Sequence, residues 1–248
     1  MLTPRSFDAA SHTYDDYAWI QRITADTVAN HPLPAPPRRI LDVGCGTGIL
    51  TQKMAQKYPQ SHIDAIDPSP NMSARCHGRG LPRVRVVTMA LNDMDPSPQY
   101  DYVVSNAALQ WTPMADSFRH IRDLLQPQGV FYAAIYGRHT AVEWDRVLQD
   151  VGRPCVRPAH RFLTHDDLRQ LGGAYWPHWS VTTTRITQTF PSVIAALKSQ
   201  KYTGVTQKAT QNGLWTPRLI TRLTEAFHRH YGAIQISYEI HYAQGINP

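Results

Sequence analysis

The 248-residue sequence contains only three cysteines, Cys45, Cys76 and Cys155, and no two of them form a Cys-x-x-Cys pair. An odd number of widely spaced cysteines argues against a disulfide framework and against a cysteine-rich zinc site, and it is typical of a reducing cytoplasm. No window approaches the run of about 18 apolar residues that a membrane-spanning helix needs. The first residues also lack the apolar core of a signal peptide, so we expect a cytoplasmic protein with no membrane partner.

Charged residues make up a modest 18% of the chain and hydrophobic residues 42%, a composition that excludes wholesale disorder. The balance is basic, with 25 Lys and Arg against 19 Asp and Glu. The C-terminal third alone carries an excess of +6, because eight basic residues after Leu168 are opposed only by Glu225 and Glu239. This asymmetry indicates either a solvated basic surface or the binding of an acidic partner.

Four prolines between His31 and Pro37 exclude a helix or a central strand there, and they separate an N-terminal segment from the rest. In that segment, residues 14–30 are predicted to form an amphipathic helix. Beyond the prolines, apolar runs alternate with helical patterns. The alternation predicts strands over 39–43, 61–67, 84–89, 100–105, 130–136, 179–190 and 236–242, and helices over 47–58, 69–76, 113–125, 140–151, 191–202 and 216–231, with a further helix beginning at Thr164.

Strands that recur with helices between them favour an α/β protein with a doubly wound, Rossmann-like sheet. We expect seven strands, mostly parallel, with helices on both faces and a single domain over residues 1–248. Residues 1–37 are predicted to form an N-terminal helical lid. Residues 138–178 are too long for a crossover connection, so they are predicted to form a helical cap over the carboxyl ends of the strands, where such folds bind ligands.

The strongest motif runs from Leu41 to Gly48 and places Gly44, Gly46 and Gly48 between a predicted strand and a predicted helix. Glycines there let the backbone turn sharply and approach a ligand closely. A dinucleotide fold would need the third glycine one residue later, and the carboxylate of Asp42 would repel a diphosphate. An acid at this position can instead hold an ammonium group, which predicts a methyltransferase site for S-adenosylmethionine.

Asp67 ends the second predicted strand, 19 residues after Gly48, where ribose-binding folds place a carboxylate that accepts hydrogen bonds from ribose hydroxyls. The alternative is that Asp67, Pro68 and Ser69 form only a turn and a helix cap. With the ribose role, Met72 is expected on the adenine side of the cofactor.

Three segments that occur in order carry a more specific similarity. They are Phe7–Tyr14, with its Phe-Asp-Ala-Ala start, Asp42–Gly48, and the Ser-Asn-Ala-Ala-Leu-Gln-Trp run over Ser105–Trp111. The chain resembles the malonyl-acyl carrier protein O-methyltransferases of biotin biosynthesis, and Ile236–Ile240 resembles their tail. The resemblance implies a class I methyltransferase fold, S-adenosylmethionine as cofactor, and methyl transfer to the free carboxylate of a malonyl thioester. The segment Gly137–Trp144 departs from the pattern, so the acceptor is less well defined than the cofactor.

The resemblance also implies roles for single residues. The cofactor set gains Tyr14, Leu91, Asn92 and Ser105, and the expected acceptor pocket contains Tyr17, Gln110 and Trp111. Arg138 directly follows the fifth predicted strand, on the ligand side of the sheet, and this position makes it the residue expected to orient the malonyl group. No catalytic base is expected, because a carboxylate is already ionised at pH 7. No metal site is expected either, since the paired histidines lack the spacing and the carboxylates of a metal motif.

The resemblance implies an acidic acyl carrier protein as partner, and the basic C-terminal third is the predicted docking surface. Lys198 and Lys201 share one face of a predicted helix, and Lys208, Arg218 and Arg222 follow. Three alternatives remain: a methyltransferase of a small free carboxylic acid, as in trans-aconitate methylation, an RNA methyltransferase, and a cofactor-binding assembly protein that transfers no methyl group. The second is disfavoured because no base-modification motif follows the fourth strand.

Overall fold

The computed structural model describes residues 4–96, 100–154, 157–203 and 215–248. They form one seven-stranded sheet in the order β3-β2-β1-β4-β5-β7-β6. Neighbouring strands among β1 to β5 are parallel, and β7 runs antiparallel to both β5 and β6. The strands are β1 (Arg39–Val43), β2 (His62–Asp67), β3 (Val84–Thr88), β4 (Tyr100–Asn106), β5 (Leu125–Tyr136), β6 (His178–Thr189) and β7 (Gln235–Ile246). The predicted fold class is confirmed.

Helices cover both faces of this sheet because side chains alternate between the faces along each strand. The helices are α1 (Pro4–Ala10), α2 (Tyr14–Tyr17), α3 (Trp19–Ala29), α4 (Ile49–Lys57), α5 (Pro70–His77), α6 (Met114–Leu124), α7 (Glu143–Asp150), α8 (His165–Gly173), α9 (Val193–Tyr202) and α10 (Pro217–Tyr231). Ile40 and Val104 pack with α3, α4, α7, α9 and α10 in one core. Leu41 and Val103 pack with α6 and α8 in a second core on the other face.

The structure corrects two predicted boundaries. The single helix over 14–30 is divided into α2 and α3 at Ala18, whose ψ of 42 interrupts the helix and whose side chain is fully buried. The fifth strand begins at Leu125 rather than at Val130, so it includes Pro127 and Gly129, which lie between the predicted helix over 113–125 and the predicted strand over 130–136. A register shift opposite Tyr100 and Tyr102 marks a bulge there, the place where a sheet tolerates proline.

Two predicted helix starts are confirmed in detail. Thr164 caps α8, since its hydroxyl accepts from the backbone N–H of Asp167 while the Asp167 carboxylate accepts from the backbone N–H of Thr164. The Thr216 hydroxyl caps α10 by accepting from the backbone N–H of Leu219, and Pro217 occupies the first turn, where its missing N–H costs nothing.

None of the helices that the structure describes is long and apolar enough to cross a membrane. The N-terminal lid, the cap and the cytoplasmic location stay predictions. The strand order places β1 between β2 and β4. The chain therefore continues from β1 toward one edge of the sheet, to β2, and from β4 toward the other edge, to β5. The carboxyl ends of these two strands therefore border the crevice in which open α/β sheets bind ligands.

Candidate active site

The glycine loop between β1 and α4 adopts backbone angles that favour glycine. Gly44 and Gly48 have φ of +71 and +88, and the backbone N–H of Gly44 donates to the carbonyl of Ile66, 2.8 Å away. A Cβ on Gly44 would lie 2.3 Å from the Cβ of Ala108, and one on Gly48 would lie 2.7 Å from Sγ of Cys76. The loop is therefore held between β2, α5 and the segment after β4.

Gly46 differs from its neighbours because a Cβ there would meet no atom within 4 Å, although its φ is +54. Its N–H donates to Oδ2 of Asp67 over 2.9 Å, and the N–H of Ser69 donates to Oδ1 over 2.8 Å. Ser69 in turn caps α5. The capping turn therefore exists, but each carboxylate oxygen of Asp67 keeps a lone pair for a ribose hydroxyl. Burial raises the pKa of Asp67, and the two backbone hydrogen bonds oppose that rise.

Asp42 lies fully buried near the end of β1. Its Oδ2 accepts from the hydroxyl of Thr51, 2.6 Å away, while Oδ1 has no hydrogen-bond partner among the residues described. Burial raises the pKa of Asp42 to about 7, against the effect of the Thr51 hydrogen bond. A buried carboxylate with one unused oxygen is suited to a cationic ligand, because an opposite charge would restore the ionised form.

Sequence reasoning missed two amides beside the glycine loop. Gln21 of α3 and Asn106 of β4 line one small cavity together with Tyr14, Gly44 and Gly46. Asn106 Nδ2 donates to the backbone carbonyl of Gln21 over 2.9 Å, but Gln21 Oε1 and Asn106 Oδ1 have no partner in the described part of the chain. Asn106 belongs to the Ser-Asn-Ala-Ala-Leu-Gln-Trp run over Ser105–Trp111, which was a sequence signal for it. The signal for Gln21 was weaker, a polar residue on the buried face of the predicted N-terminal helix.

These unpartnered acceptors fit the predicted cofactor. Oxygens of Asp42, Gln21 and Asn106 are acceptors only, and an ammonium group offers three donors and a positive charge. Tyr14, a predicted cofactor residue, borders the same cavity.

The N-terminal helices contact both sides of the glycine loop. The Asp8 carboxylate accepts from the Ser69 hydroxyl over 2.7 Å and from the backbone N–H of Asn71 over 2.9 Å, at the first turn of α5. Asp15 accepts from the Thr47 hydroxyl and forms an ion pair of 2.8 Å with Arg79. These hydrogen bonds place α1 and α2 beside the proposed ribose and ammonium positions.

The other predicted cofactor residues differ in how deeply they are buried. Met72 and Leu91 are 2% and 7% exposed and pack in the interior, while Asn92 is exposed. Ser105 is fully buried, and its hydroxyl donates to the carbonyl of Val43 over 2.8 Å. That hydrogen bond ties the carboxyl end of β4 to that of β1, so Ser105 acts on the crevice through the backbone.

The predicted acceptor residues do not share one environment. Trp111 lies between Phe7 and Phe162, with ring centroids 5.7 and 4.9 Å away in edge-on contacts. Tyr17 contacts the ring of Tyr202 at 4.9 Å. The rings of Phe7, Trp111 and Phe162 join α1, the turn after β4 and the segment before α8 into one aromatic wall.

Gln110 and Arg138 have mainly backbone partners. Gln110 Nε2 donates to the carbonyl of Ala107 over 2.7 Å, and its Oε1 accepts weakly from the N–H of Tyr136. Arg138 is exposed, and its Nε donates to the carbonyl of Phe162 over 3.3 Å. The arginine of this region that is buried is instead Arg157, a residue not predicted, which is 8% exposed and pairs with Asp145 through two nitrogens.

Comparison with known proteins agrees with this geometry. A family model described as a methyltransferase domain matches residues 40–129. The malonyl-acyl carrier protein O-methyltransferase 2 of Ilyobacter polytropus is 26% identical over 92% of this chain and 89% of its own. The trans-aconitate 2-methyltransferase of Rhodococcus jostii is 46% identical, but over only 31% of this chain and 29% of its own.

Among solved structures, the YcgJ protein from Bacillus subtilis superposes with a TM-score of 0.63 at 15% identity, over 91% of this chain and 98% of its own. This likeness shows the fold. The matching family model and the named relative, together with the glycine loop and the acidic residues at the ends of β1 and β2, support a class I S-adenosylmethionine-dependent methyltransferase.

Proposed function

We propose that this methyltransferase esterifies the free carboxylate of a malonyl thioester carried by an acyl carrier protein, a step in the synthesis of the biotin precursor. The observation that carries the proposal is the length of the similarity. The relative named for this reaction matches 92% of the chain, including the acceptor-side elements after β5, whereas the trans-aconitate similarity stops at 31%.

The residues of the crevice divide the work of binding the cofactor. Asp42, Gln21 and Asn106 accept hydrogen bonds from its ammonium group, and Asp67 accepts from its ribose hydroxyls. When bound, S-adenosylmethionine supplies an electrophilic methyl group on a positively charged sulfur. Because Asp42 titrates near neutral pH, the ammonium also stabilises the ionised form of this carboxylate.

The acceptor needs positioning rather than activation. A malonyl carboxylate is ionised at neutral pH, so no residue has to remove a proton from it. The wall of Phe7, Trp111 and Phe162 excludes water and holds the reacting oxygen in line with the methyl carbon. Charge is neutralised during the transfer, so an aromatic, water-poor pocket favours the transition state over the separated ions.

The carrier protein docks on α9 in this proposal. Lys198 and Lys201 are exposed on this helix, one turn and two turns beyond Ile194, whose side chain is 48% exposed. Residues at this spacing share one helix face, so an apolar contact lies beside two positive charges. Arg218 and Arg222 are also exposed on α10, which packs against α9, while Lys208 lies outside the described residues.

This position brings the docked partner close to the crevice. The carbonyl of Tyr202, at the end of α9, accepts from the hydroxyl of Thr13, and the Tyr202 ring contacts Tyr17 of α2. A prosthetic arm that starts at α9 would therefore reach the N-terminal helices first.

Reversing both charges on α9, in a Lys198→Glu/Lys201→Glu variant, is expected to raise KM for malonyl-acyl carrier protein about 10-fold at low salt. Exposed charge pairs contribute roughly 0.2–1 kcal/mol each and steer the encounter, so two lost pairs and two new repulsions give that size. Steady-state kinetics at low and high salt measure it. KM for malonyl-coenzyme A should stay within about 2-fold, because the helix face does not contact the acyl group.

The matched control is Arg119→Glu/Arg122→Glu on α6, which makes the same charge change on the opposite face of the sheet. Both side chains are exposed, at 57% and 41%. An equal rise of KM in this control, or no rise in the α9 variant, would remove α9 as the docking surface.

The reaction itself is tested by mass spectrometry of malonyl-acyl carrier protein after incubation with the enzyme and S-adenosylmethionine. The expected product has gained one methyl group in place of a proton, on the malonyl carboxylate. A second candidate, methylation of a small free acid, is favoured only by the short, stronger similarity to trans-aconitate 2-methyltransferase. Turnover of trans-aconitate without turnover of the malonyl thioester would establish that candidate instead.

A further inference from the structure

Tyr136 is the last residue of β5, and its hydroxyl has no hydrogen-bond partner among the described residues. The side chain is 4% exposed, and no group in the described ranges forms a hydrogen bond with the hydroxyl oxygen. Buried hydroxyls normally have a partner, because removing one from water without a replacement hydrogen bond is unfavourable. An unpaired donor at the carboxyl end of a central strand therefore indicates a ligand.

The position of Tyr136 places it beside the crevice. The β4 and β5 ends are joined where the N–H of Ala107 donates to the carbonyl of Ala134 over 2.8 Å, two residues before Tyr136. Tyr14, which lines the cofactor cavity, is close enough to raise the pKa of the Tyr136 hydroxyl, and burial contributes most to that rise. The core that contains the Tyr136 ring also contains Phe162, with Trp111 packed against it.

The charged residues of this region have other partners. Arg138, two residues further along the chain, is exposed and donates to a backbone carbonyl. Arg157 is buried but pairs with Asp145 and with the carbonyls of Arg138 and Thr140. The Tyr136 hydroxyl is thus a donor with no partner among the described residues, at the carboxyl end of β5, and its ring lies in the same core as Phe162.

We propose that Tyr136 binds the acceptor, its hydroxyl donating a hydrogen bond to one oxygen of the carboxylate that becomes methylated. This assignment rests on the proposed function. The second carboxylate oxygen then forms the bond to the methyl carbon while the carbon–sulfur bond breaks, and the electron pair of that bond stays on sulfur. Tyr136 keeps its proton throughout, so the step needs no base and no further reactant.

A neutral donor suits this reaction better than an arginine. An arginine would bind both carboxylate oxygens and lower the nucleophilicity of the attacking one. A tyrosine fixes one oxygen and leaves the other free. Since burial holds the pKa of Tyr136 well above its usual range, the hydroxyl stays protonated as a donor through the neutral and mildly basic range.

The test is a Tyr136→Phe variant, which removes only the hydroxyl. We expect KM for malonyl-acyl carrier protein to rise about 10- to 100-fold, the size of one lost hydrogen bond to a charged group. The dissociation constant for S-adenosylhomocysteine, measured by calorimetry, should stay within about 2-fold. The melting temperature should not fall, because the removed hydroxyl has no hydrogen-bond partner in the part of the chain that the structure describes.

Tyr238→Phe is the matched control. Its ring lies 6.2 Å from that of Tyr136, and its hydroxyl already has a partner in Gln188, at 3.5 Å. An unchanged KM in Tyr136→Phe, an equal rise in Tyr238→Phe, or weaker S-adenosylhomocysteine binding in Tyr136→Phe overturns the assignment of Tyr136. A wild-type enzyme that turns over no malonyl thioester overturns the proposed function as well, so the two failures differ in the wild-type assay.

Discussion

Replacing Gly44 by alanine is expected to weaken S-adenosylhomocysteine binding at least about 100-fold. Two costs combine at this position. A non-glycine residue at φ of +71 is strained by roughly 1–3 kcal/mol, and the new Cβ would lie 2.3 Å from the Cβ of Ala108, an overlap that costs a further 1–3 kcal/mol. The free variant can relieve this cost by displacing the loop, and binding must then restore the loop. Since 1.4 kcal/mol is a tenfold change in affinity, a combined cost near 3 kcal/mol gives the expected loss.

The lost affinity should have contributions from both sides of the crevice, the glycine loop and the turn after β4. Ala108 leads into the turn Leu109–Trp111, so a loop displaced by the Gly44 Cβ would shift Gln110 and Trp111 as well. Calorimetry with S-adenosylhomocysteine measures the affinity, and the melting temperature separates a local effect from unfolding.

Two further variants distinguish overlap from strain. Gly232, after α10, has nearly the same φ, at +73, but a Cβ there meets nothing within 4 Å. Gly232→Ala therefore carries the strain without the contact and should bind S-adenosylhomocysteine as the wild type does. In the double variant Gly44→Ala/Ala108→Gly the overlap is removed, so affinity should recover in part. Binding by Gly44→Ala within about 3-fold of wild type would show that the loop is not held as described.

The alternation of strands and helices could be predicted because it depends on local periodicity, which the sequence states directly. The errors lie where tertiary contacts override local pattern. Nothing in Tyr17-Ala18-Trp19 resembles a helix stop, yet the chain turns there so that Ala18 and Ile20 are buried. Gly129 lies between a predicted helix and a predicted strand, but the structure places it within β5. A glycine is needed there because a Cβ would lie 2.8 and 3.0 Å from the carbonyl oxygens of Gln126 and Tyr100.

The candidate site shows the same division. Gly44, Gly46 and Asp42 could be found from spacing because backbone turns and a strand-end carboxylate leave a signature in sequence. Gln21 could not be found, since its role depends on α3 packing against β4, 85 residues away. Arg138 was expected at the acceptor because it follows β5, but the side chain of Tyr136, two residues earlier, is the buried one. Which residue of a strand end faces the crevice depends on strand register, and the register was not available from one sequence.

The second large effect is a change in stability with pH that depends on Asp42. The sign of this change follows from the raised pKa of the Asp42 carboxyl group. An ordinary aspartate has a pKa of 3.8, whereas that of Asp42 is about 7 in the folded protein. Between these values the folded state binds more protons at this site than the unfolded state. The contribution of Asp42 to the free energy of unfolding therefore falls as pH rises from about 4 to 7, by about 4 kcal/mol in the protein without cofactor.

An Asp42→Asn variant should remove this pH dependence. Asparagine still accepts the hydrogen bond from Thr51 but never carries a charge. The variant is therefore expected to melt at a higher temperature than the wild type at pH 8 and at a similar temperature near pH 4. Thermal unfolding at both values measures the difference. Asp116→Asn on α6, whose side chain is 52% exposed, provides a control in which the melting temperature should hardly change.

The gain in stability is expected to come with a loss of cofactor affinity. Removing one partner of a buried ion pair costs roughly 3–5 kcal/mol, so Asp42→Asn should bind S-adenosylhomocysteine more than 100-fold more weakly. Binding to the wild type below pH 7 should also release a proton from Asp42, because the ammonium favours the carboxylate. Calorimetry in two buffers of different protonation enthalpy measures that proton. A variant that binds normally, or a wild type that releases no proton at pH 6, would mean that the ammonium does not lie against Asp42 and that Gln21 and Asn106 hold it alone.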